Sequence, residues 1–355
     1  MLTLSRRQFL GSSAAAIGLA AGGLVLPRRA YGSWLRPRPD AEFYKWTEVA
    51  PGFLVGFNQT EDFNLVGGNS TLLVKKGAGV CIDTKQTVLG PSLLREAKAH
   101  TDAVVTALNT HHHFDHTGGN AAFSHGGAKL FAHPKCRERV AAQTAMYTAG
   151  IDPRVKALEK CDVPGAKQAA EDAKALTTHL SDLKADDFTP EGTLTDGAKL
   201  DAAQSAGHKI EVHHVGPGHT DNDVFFFFPQ ENVLVAGDLI FNHLHAYFDE
   251  GGGASVSGWI KSLERVVTLC NQNTSVVPGH GEADNIESAK RQIKYFEDVQ
   301  AAVAKAVKDG KKREEVIQMT LPQYAEYGLK QALPLVLGGA YDEQTKGTPA
   351  EKPGK

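Results

Sequence analysis

The sequence has little basic clustering, little cysteine and few stretches without turn signals. Lysine and arginine number 38 against 41 acidic residues in a chain of 355, a formal charge of −3. That balance offers no polybasic track for a nucleic-acid backbone or an anionic membrane surface. Cysteine occurs only at Cys81, Cys136, Cys161 and Cys270, widely separated and with no CxxC pair, so the sequence assigns no disulfide. Cys81 sits in the apolar run Gly79-Val80-Cys81-Ile82-Asp83 and reads as an inert core thiol. The scarcity of long stretches without turn signals, with plentiful apolar residues and glycine, excludes a chain disordered over its length.

At the N-terminus, Ser5-Arg6-Arg7-Gln8-Phe9-Leu10 precedes a small-residue and apolar run over 11–26, then Pro27 and Ala30-Tyr31-Gly32. This resembles a twin-arginine export signal over residues 1–32, cut after Gly32. The resemblance implies an exported, periplasmic protein that meets the export machinery already folded and metal-loaded. The alternative is a retained membrane anchor, but the run is short and rich in Gly, Ala and Ser.

In the body, residues 70–74 and 79–83 predict a hairpin, and 89–99 a helix with Leu93, Leu94 and Ala97 at helical spacing. Residues 103–108 form a short apolar strand that delivers a histidine cluster at its end. The alanine- and charge-rich stretch 134–184 predicts a helical insertion of two or three helices, broken near Gly150 and Gly165. Strands resume over 210–215, 223–228 and 233–236. The run Phe225-Phe226-Phe227-Phe228 has no interleaved basic residue, so it predicts a strand buried on both faces instead of a nucleic-acid platform. Ser257 is placed to cap a helix through Trp259, Ile260, Leu263, Val266 and Val267, and 275–278 is the last strand. These elements predict an α/β fold, an alpha-beta-beta-alpha sandwich over 45–290 with its insertion at about 134–184. A helical extension over 291–343 and a flexible tail over 344–355 follow.

The chemistry concentrates in His111-His112-His113-Phe114-Asp115-His116. His111, His113, Asp115 and His116 supply nitrogen and oxygen donors suited to zinc or another divalent transition metal. Buried this close together without a cation, they would lose their hydration with nothing in return. Three later segments each bring one more donor to the end of an apolar run: Gly218-His219-Thr220, Ala236-Gly237-Asp238 and Gly279-His280-Gly281. Read singly, His219 is a capped turn, Asp238 a strand terminator and His280 an exposed, glycine-flanked histidine. Read together, they complete a metal-binding set.

From Asn109-Thr110-His111 through Gly279-His280, over roughly residues 53–282, the ordered set resembles the metallo-β-lactamase superfamily. The resemblance implies two divalent metal ions, zinc first, with iron or manganese as alternatives. His111, His113 and His219 would hold one, Asp115, His116 and His280 the other, and Asp238 would bridge them. Asp83 is similar to the family's buried aspartate that supports the site, its plainer role being a helix cap. The implied nucleophile is a hydroxide between the metals, oriented by Asp115, with Asp115 and Asp238 as the catalytic carboxylates.

Asp238 departs from the cysteine or serine of class B β-lactamases, and so is more similar to hydroxyacylglutathione hydrolases, lactonases and phosphodiesterases. The export signal together with Asn242-His243-Leu244-His245 also resembles zinc hydrolases of periplasmic oxidative pathways. The expected activity is hydrolysis of a small-molecule ester, lactone, thioester or lactam. The alternatives are a β-lactamase, a phosphodiesterase, or a non-catalytic periplasmic metal- or partner-binding protein. His243, His245 and Tyr247 are candidate pocket residues because they follow a bridging ligand. Phe57 and Trp46 either form an entrance loop or close the N-terminal core. Nothing in the pattern addresses the oligomeric state.

Overall fold

Strand-forming runs pair into two sheets in the computed structural model, which describes residues 42–60, 65, 67–178 and 183–347. The first sheet takes its strands in chain order: β1 (Tyr44–Ala50), β2 (Phe53–Asn58), β3 (Ser70–Lys75), β4 (Ala78–Ile82), β5 (Ala103–Leu108), β6 (Lys129–Ala132) and β7 (Gly192–Thr193). Pairing is antiparallel from β1 to β4 and parallel from β4 to β7. The second sheet comprises β8 (Glu211–His213), β9 (Phe225–Phe228), β10 (Val233–Phe241) and β11 (Ser275–His280), in the order β11-β10-β9-β8. There β10 and β11 run parallel, and the other pairs are antiparallel.

Side-chain alternation decides how the sheets pack. Val55, Leu73, Val80 and Ile82 from one sheet meet Val212, Phe226, Phe228, Val235 and Val277 from the other in a single buried cluster. The opposite faces are covered by helices. Leu72, Cys81, Val104 and Ala107 pack under helices Gly90–His100, Ile151–Lys160 and Ala166–Thr177. Phe225, Phe227, Leu234 and Val276 pack under helices Val256–Leu269, Glu287–Lys308 and Leu333–Lys346. The result is the expected four-layer alpha-beta-beta-alpha sandwich, and the phenylalanine run is buried on both faces.

Several local expectations are corrected. The stretch 134–177 holds four helices, Pro134–Ala142, Thr144–Thr148, Ile151–Lys160 and Ala166–Thr177, with left-handed Gly150 (φ 68°) and Gly165 (φ 74°) at two of the breaks. The helix expected to be capped by Ser257 begins at Val256, where Ser255 Oγ accepts the Gly258 N–H at 3.1 Å. Ser257 instead donates its hydroxyl to Glu343 at 2.7 Å, and Glu343 also accepts the Val256 and Ser257 N–H groups. A carboxylate from the last helix thus sits at the positive end of this one. That last helix continues to Lys346, past the expected start of the tail at 344.

β10 does not stop before Asp238 but runs on to Phe241. Its register against β11 shifts on either side of Gly237, which has φ 56° and lies so close to Thr110 that a Cβ there would be 2.6 Å from the Thr110 Cβ. Only glycine accepts both the left-handed backbone and that approach. Residues 1–32 and 348–355 lie outside the described residues, so the export signal and most of the tail do too. Among the described residues no helix is long and apolar enough to cross a membrane.

Candidate metal centre

Parallel neighbours end at one edge of the sandwich, and the donors sit at those ends. β4 leads into Asp83, β5 into the 109–117 turn, and the β8–β9 loop carries His219. Asp238 lies within β10 and His280 ends β11. Trp259 braces this edge from behind, donating its indole N–H to the Leu239 carbonyl at 2.8 Å.

The structure brings all seven metal-ligand candidates together in two abutting groups. His111, His113, His219 and Asp238 place one ligand atom each within 4.8 Å of one another, and so do Asp115, His116 and His280. The Asp238 carboxylate touches both groups. Its Oδ2 lies 3.4 Å from His219 Nε2 and 3.5 Å from His280 Nε2, and its Oδ1 lies 3.1 Å from His116 Nε2. Asp115 Oδ2 is 3.3 Å from His280 Nε2 and 3.5 Å from His116 Nε2.

Hydrogen bonds on the far side of each ring set which nitrogen is bare. The Tyr247 carbonyl lies 2.6 Å from His219 Nδ1 and can only accept, so that nitrogen carries the proton and Nε2 is bare. Asp249 lies 2.8 Å from His113 Nε2, leaving Nδ1 bare. Asp83 accepts the Thr110 N–H, the Thr110 hydroxyl and His116 Nδ1–H, each at 2.8 Å, so once the His116 ring is neutral its Nε2 is the nitrogen free to ligate. With its one hydroxyl proton given to Asp83, Thr110 must accept from His111 Nδ1 at 3.0 Å, which leaves His111 Nε2 bare.

These bare atoms are the fit test for a metal. His111 Nε2 and Asp238 Oδ1 are buried without an aligned hydrogen-bond partner among the described residues. His113 Nδ1 and His219 Nε2 face each other at 3.0 Å. Unsatisfied buried acceptors cost about 1–3 kcal/mol each, and opposed lone pairs repel. A divalent cation bound by neutral imidazoles and carboxylates removes both penalties, and the donor set of nitrogen and oxygen suits zinc.

Electrostatics divide along the same lines. Burial holds His111 well below the ordinary histidine range and takes His219 down to about 3, so both are neutral, as ligation requires. Burial opposes charge at His116 and His280 as well, but neighbouring carboxylates outweigh it. Asp238, Asp115 and Asp83 hold His116 well above its ordinary value, and Asp238 and Asp115 push His280 up to about 9. Burial would raise Asp115 and Asp238, yet His116 and His280 keep both ionised. The second group thus calls for positive charge, which a metal supplies in place of protons.

Four of the ligands, His113, Asp115, Asp238 and His280, open into a cleft of about 1430 Å³ whose walls include Tyr247 and Phe57. Trp46 instead donates to Glu96 at 3.0 Å and packs beside Tyr44, closing the N-terminal core. The expectation for His243 and His245 is corrected, since neither lines the cleft. His245 is buried against the Tyr295 hydroxyl at 3.1 Å, and the His243 ring lies 6.0 Å from that of Tyr327. Their backbones pair with Gly328, so this turn braces the segment that brings Gly328 and Leu329 to the cleft.

Four functional residues escaped the sequence reading. Asp249 orients His113 and lies 3.5 Å from His112 Nε2. His112 is buried, its Nδ1 3.0 Å from the Asn222 amide. Asn69 ties its amide to the Pro278 and Gly281 carbonyls flanking His280 at 3.0 and 2.8 Å. Lys85, fully buried at φ 66°, donates to the Gly56 and Gly68 carbonyls and to Asn58 Oδ1. Gly68 lies flat on a ligand, with a Cβ there 2.0 Å from the His116 ring. The triple histidine was the one available signal for His112; the others depend on contacts distant in sequence.

A four-layer sandwich with two adjoining His/Asp groups at one sheet edge defines a metal-dependent hydrolase. Residues 64–280 match the Metallo-beta-lactamase superfamily, and the chain belongs to that family. It is 24% identical over 227 residues to metallo-β-lactamase IND-1 of Chryseobacterium indologenes, covering 62% of this chain and 76% of that protein. A shorter stretch of 74 residues is 43% identical to a hydroxyacylglutathione hydrolase of Polaromonas sp. (strain JS666), covering 18% of this chain and 25% of that one. The solved structure of DIM-1 metallo-β-lactamase aligns with a TM-score of 0.51 at 17% identity, over 73% of this chain and 99% of that one. A metallo-β-lactamase from Pontibacter korlensis aligns with a TM-score of 0.52 at 18% identity, over 72% and 99%. At that identity the structural likeness establishes the fold alone.

Proposed function

We propose that this enzyme hydrolyses a small carbonyl compound, an ester, lactone, thioester or lactam, with two zinc ions as its cofactor. The observation that carries the reading is the Asp238 carboxylate shared between two donor groups that open into one cleft. Two such cations, when bound, lower the pKa of a water and polarise a carbonyl oxygen. His111, His113 and His219 would hold the first, Asp115, His116 and His280 the second, and Asp238 both.

The chain's own groups do the positioning. Asp115 stays ionised and faces the cleft, placed to accept a hydrogen bond from the attacking water and fix its direction. Asp83, Thr110, Asp249 and the Tyr247 carbonyl hold the imidazoles in the tautomers that ligation needs. No serine or cysteine nucleophile is required, and Cys81, buried with its thiol pushed far up by burial, is unsuited to be one.

The test is a kinetic panel on metal-loaded protein. Ester, lactone, thioester and lactam turnover is expected to vanish on chelation and in Asp238→Ala and His280→Ala. A phosphodiester hydrolysed with a higher kcat/KM than every carbonyl substrate, and lost in both variants, would overturn the carbonyl assignment. We further propose export to the periplasm through residues 1–32. Mass analysis of the exported protein is expected to find Ser33 at the N-terminus; an intact segment held in the membrane would refute it.

A further inference from the structure

We infer that the substrate is an uncharged carbonyl compound carrying a flat apolar group beside the scissile bond, and not an anionic one of the β-lactam or glutathione-thioester kind. The inference rests on the carbonyl-hydrolase reading above and names the substrate class of the same site.

The first observation concerns where apolar surface is left uncovered. Among the described residues the large apolar side chains classed as exposed are Met146 at 44%, Val215 at 43%, Tyr247 at 42% and Leu335 at 40%. Two of these, Met146 and Tyr247, stand in the wall of the metal cleft. Exposed apolar side chains gathered in a concavity beside convergent polar groups are the signature of a ligand contact.

The second observation is how close aromatic rings come to the donors. The Tyr247 ring lies 5.7 Å from that of His113 and 6.1 Å from that of His219. Phe241 stacks on His280 at 5.3 Å with 13° between the planes, and lies 5.6 Å from His219. Both donor groups are therefore flanked by an aromatic ring that also lines the cleft. Phe241 is buried at 3% exposure and spends a face on His280, so it is the exposed Tyr247 ring, beside His113 and His219, that offers a planar apolar substituent a surface to lie on.

The third is the cleft's charge. Beyond the metal ligands and His112, its charged residues are Lys45, Asp249 and Glu282. Asp249 is committed to His113 at 2.8 Å, and Glu282 is exposed and of the wrong sign for an anion. Lys45 is also exposed, a hydrated point charge on β1 that adds little to the binding of a carboxylate. No arginine lines the cleft among the described residues. The nearby Arg139 is spent on Asp221 at 2.9 Å and on the Gly251 carbonyl at 3.2 Å. The bidentate fork that proteins use to recognise carboxylates is absent from these walls, so a substrate carboxylate held away from the metal ions meets no committed protein cation there.

A matched pair of esters on the metal-loaded protein tests the inference: 4-nitrophenyl pentanoate, which is neutral, and 4-nitrophenyl hemisuccinate, of similar length with a terminal carboxylate. The neutral ester is expected to show at least a tenfold higher kcat/KM. Met146→Ala is expected to raise the KM of both esters several-fold, because both carry the flat nitrophenyl group, with kcat kept within about twofold. Binding of the corresponding anilides, N-(4-nitrophenyl)pentanamide and N-(4-nitrophenyl)succinamate, is measured by calorimetry, and the neutral one is expected to bind at least tenfold more tightly. Equal or better turnover or binding of the anionic member overturns the inference while leaving the hydrolase reading intact. If neither ester nor any other carbonyl compound is turned over, the carbonyl reading falls, and the anilide pair alone decides whether the cleft selects neutral apolar ligands.

Discussion

Replacing Asp83 with asparagine should damage both metal groups at once. Asp83 Oδ1 accepts the Thr110 N–H at 2.8 Å, so the asparagine oxygen must take that position and its NH₂ must take the place of Oδ2. There Oδ2 now accepts from the Thr110 hydroxyl and from His116 Nδ1, each at 2.8 Å. A donor in that position forces His116 to carry its proton on Nε2, the atom that faces Asp238 at 3.1 Å. It also turns the Thr110 hydroxyl towards His111 Nδ1, 3.0 Å away, which moves the His111 proton to its own Nε2. One isosteric change thereby reverses two tautomers. Supporting hydrogen bonds of this kind are worth about 10–100-fold in metal affinity, or about 1.4–2.7 kcal/mol, and here the loss falls on each group. The backbone is little affected, because φ at residue 83 is 61° and asparagine tolerates the left-handed region as well as aspartate. Long-range proton–nitrogen NMR of labelled histidines reads the tautomers directly, and competition against a chromophoric chelator reads both affinities. Asp83→Ala, which removes the acceptor without adding a donor, should bind metal better than Asp83→Asn in its folded fraction. Wild-type affinity and unchanged tautomers in the asparagine variant would refute this account of the site.

Lys85→Met removes the bonds of 2.9, 3.1 and 2.7 Å that hold Gly56, Asn58 and Gly68. Partly offset by relief of burying an amine that burial has pushed down to about 7, the loss should be on the order of 2–4 kcal/mol in urea unfolding. Because Gly68 rests on His116, metal in the Asp115–His116–His280 group should weaken more than in the other; equal retention of both would count against the clamp. His116→Ala should lose chiefly that same metal and His219→Ala chiefly the other, as read by the absorption of cobalt-substituted protein, whereas identical loss of both metals at every concentration would leave the division unsupported. Burial pushes the Asp223 carboxyl up to about 7 against two hydrogen bonds from Thr220. The folded protein therefore holds this proton more tightly than the unfolded chain, so the stabilisation is full below about pH 4 and is lost as pH rises through 7. Relative to wild type, Asp223→Asn should gain up to about 4 kcal/mol between pH 4 and 8 in metal-free urea unfolding; a flat difference would refute the shift.

What the sequence revealed and what it hid follow from the range of the interactions. The first four donors fall within six positions, and the other three follow apolar runs, so local chemistry exposed them. Binary patterning likewise exposed the sandwich, since Phe226 and Phe228 face the partner sheet while Phe225 and Phe227 face helices. The breaks among the alanine-rich helices were harder, because Gln143 ends one helix without any glycine or proline to mark it. Ser255 and Ser257 are equally plausible caps by residue type, and the choice between them was made by Glu343, far along the chain.

The groups that make the site chemically competent were the least visible, and the reason is physical. A ligand must be a side chain of a particular type, but the partner that sets its tautomer need only present an acceptor. At His219 that acceptor is the Tyr247 carbonyl, which every residue possesses, so no substitution at 247 other than one that moves the backbone would reveal it. At His113 it is a carboxylate 136 positions away, brought near by the turn in which Gly252 must lack a side chain: a Cβ there would fall 1.9 Å from Asp249 Oδ2. At His116 it is Asp83, and at His111 it is the Thr110 hydroxyl that Asp83 orients, with the left-handed backbone of Asp83 held by β4 and β5 running side by side. Topology therefore selects the bare nitrogen at each of these four rings, and the donor motif becomes a metal site only once both sheets are in place. On that argument metal binding should report the docking of the two sheets, with the β8–β11 half supplying three of the seven donors and the turn after β5 the other four.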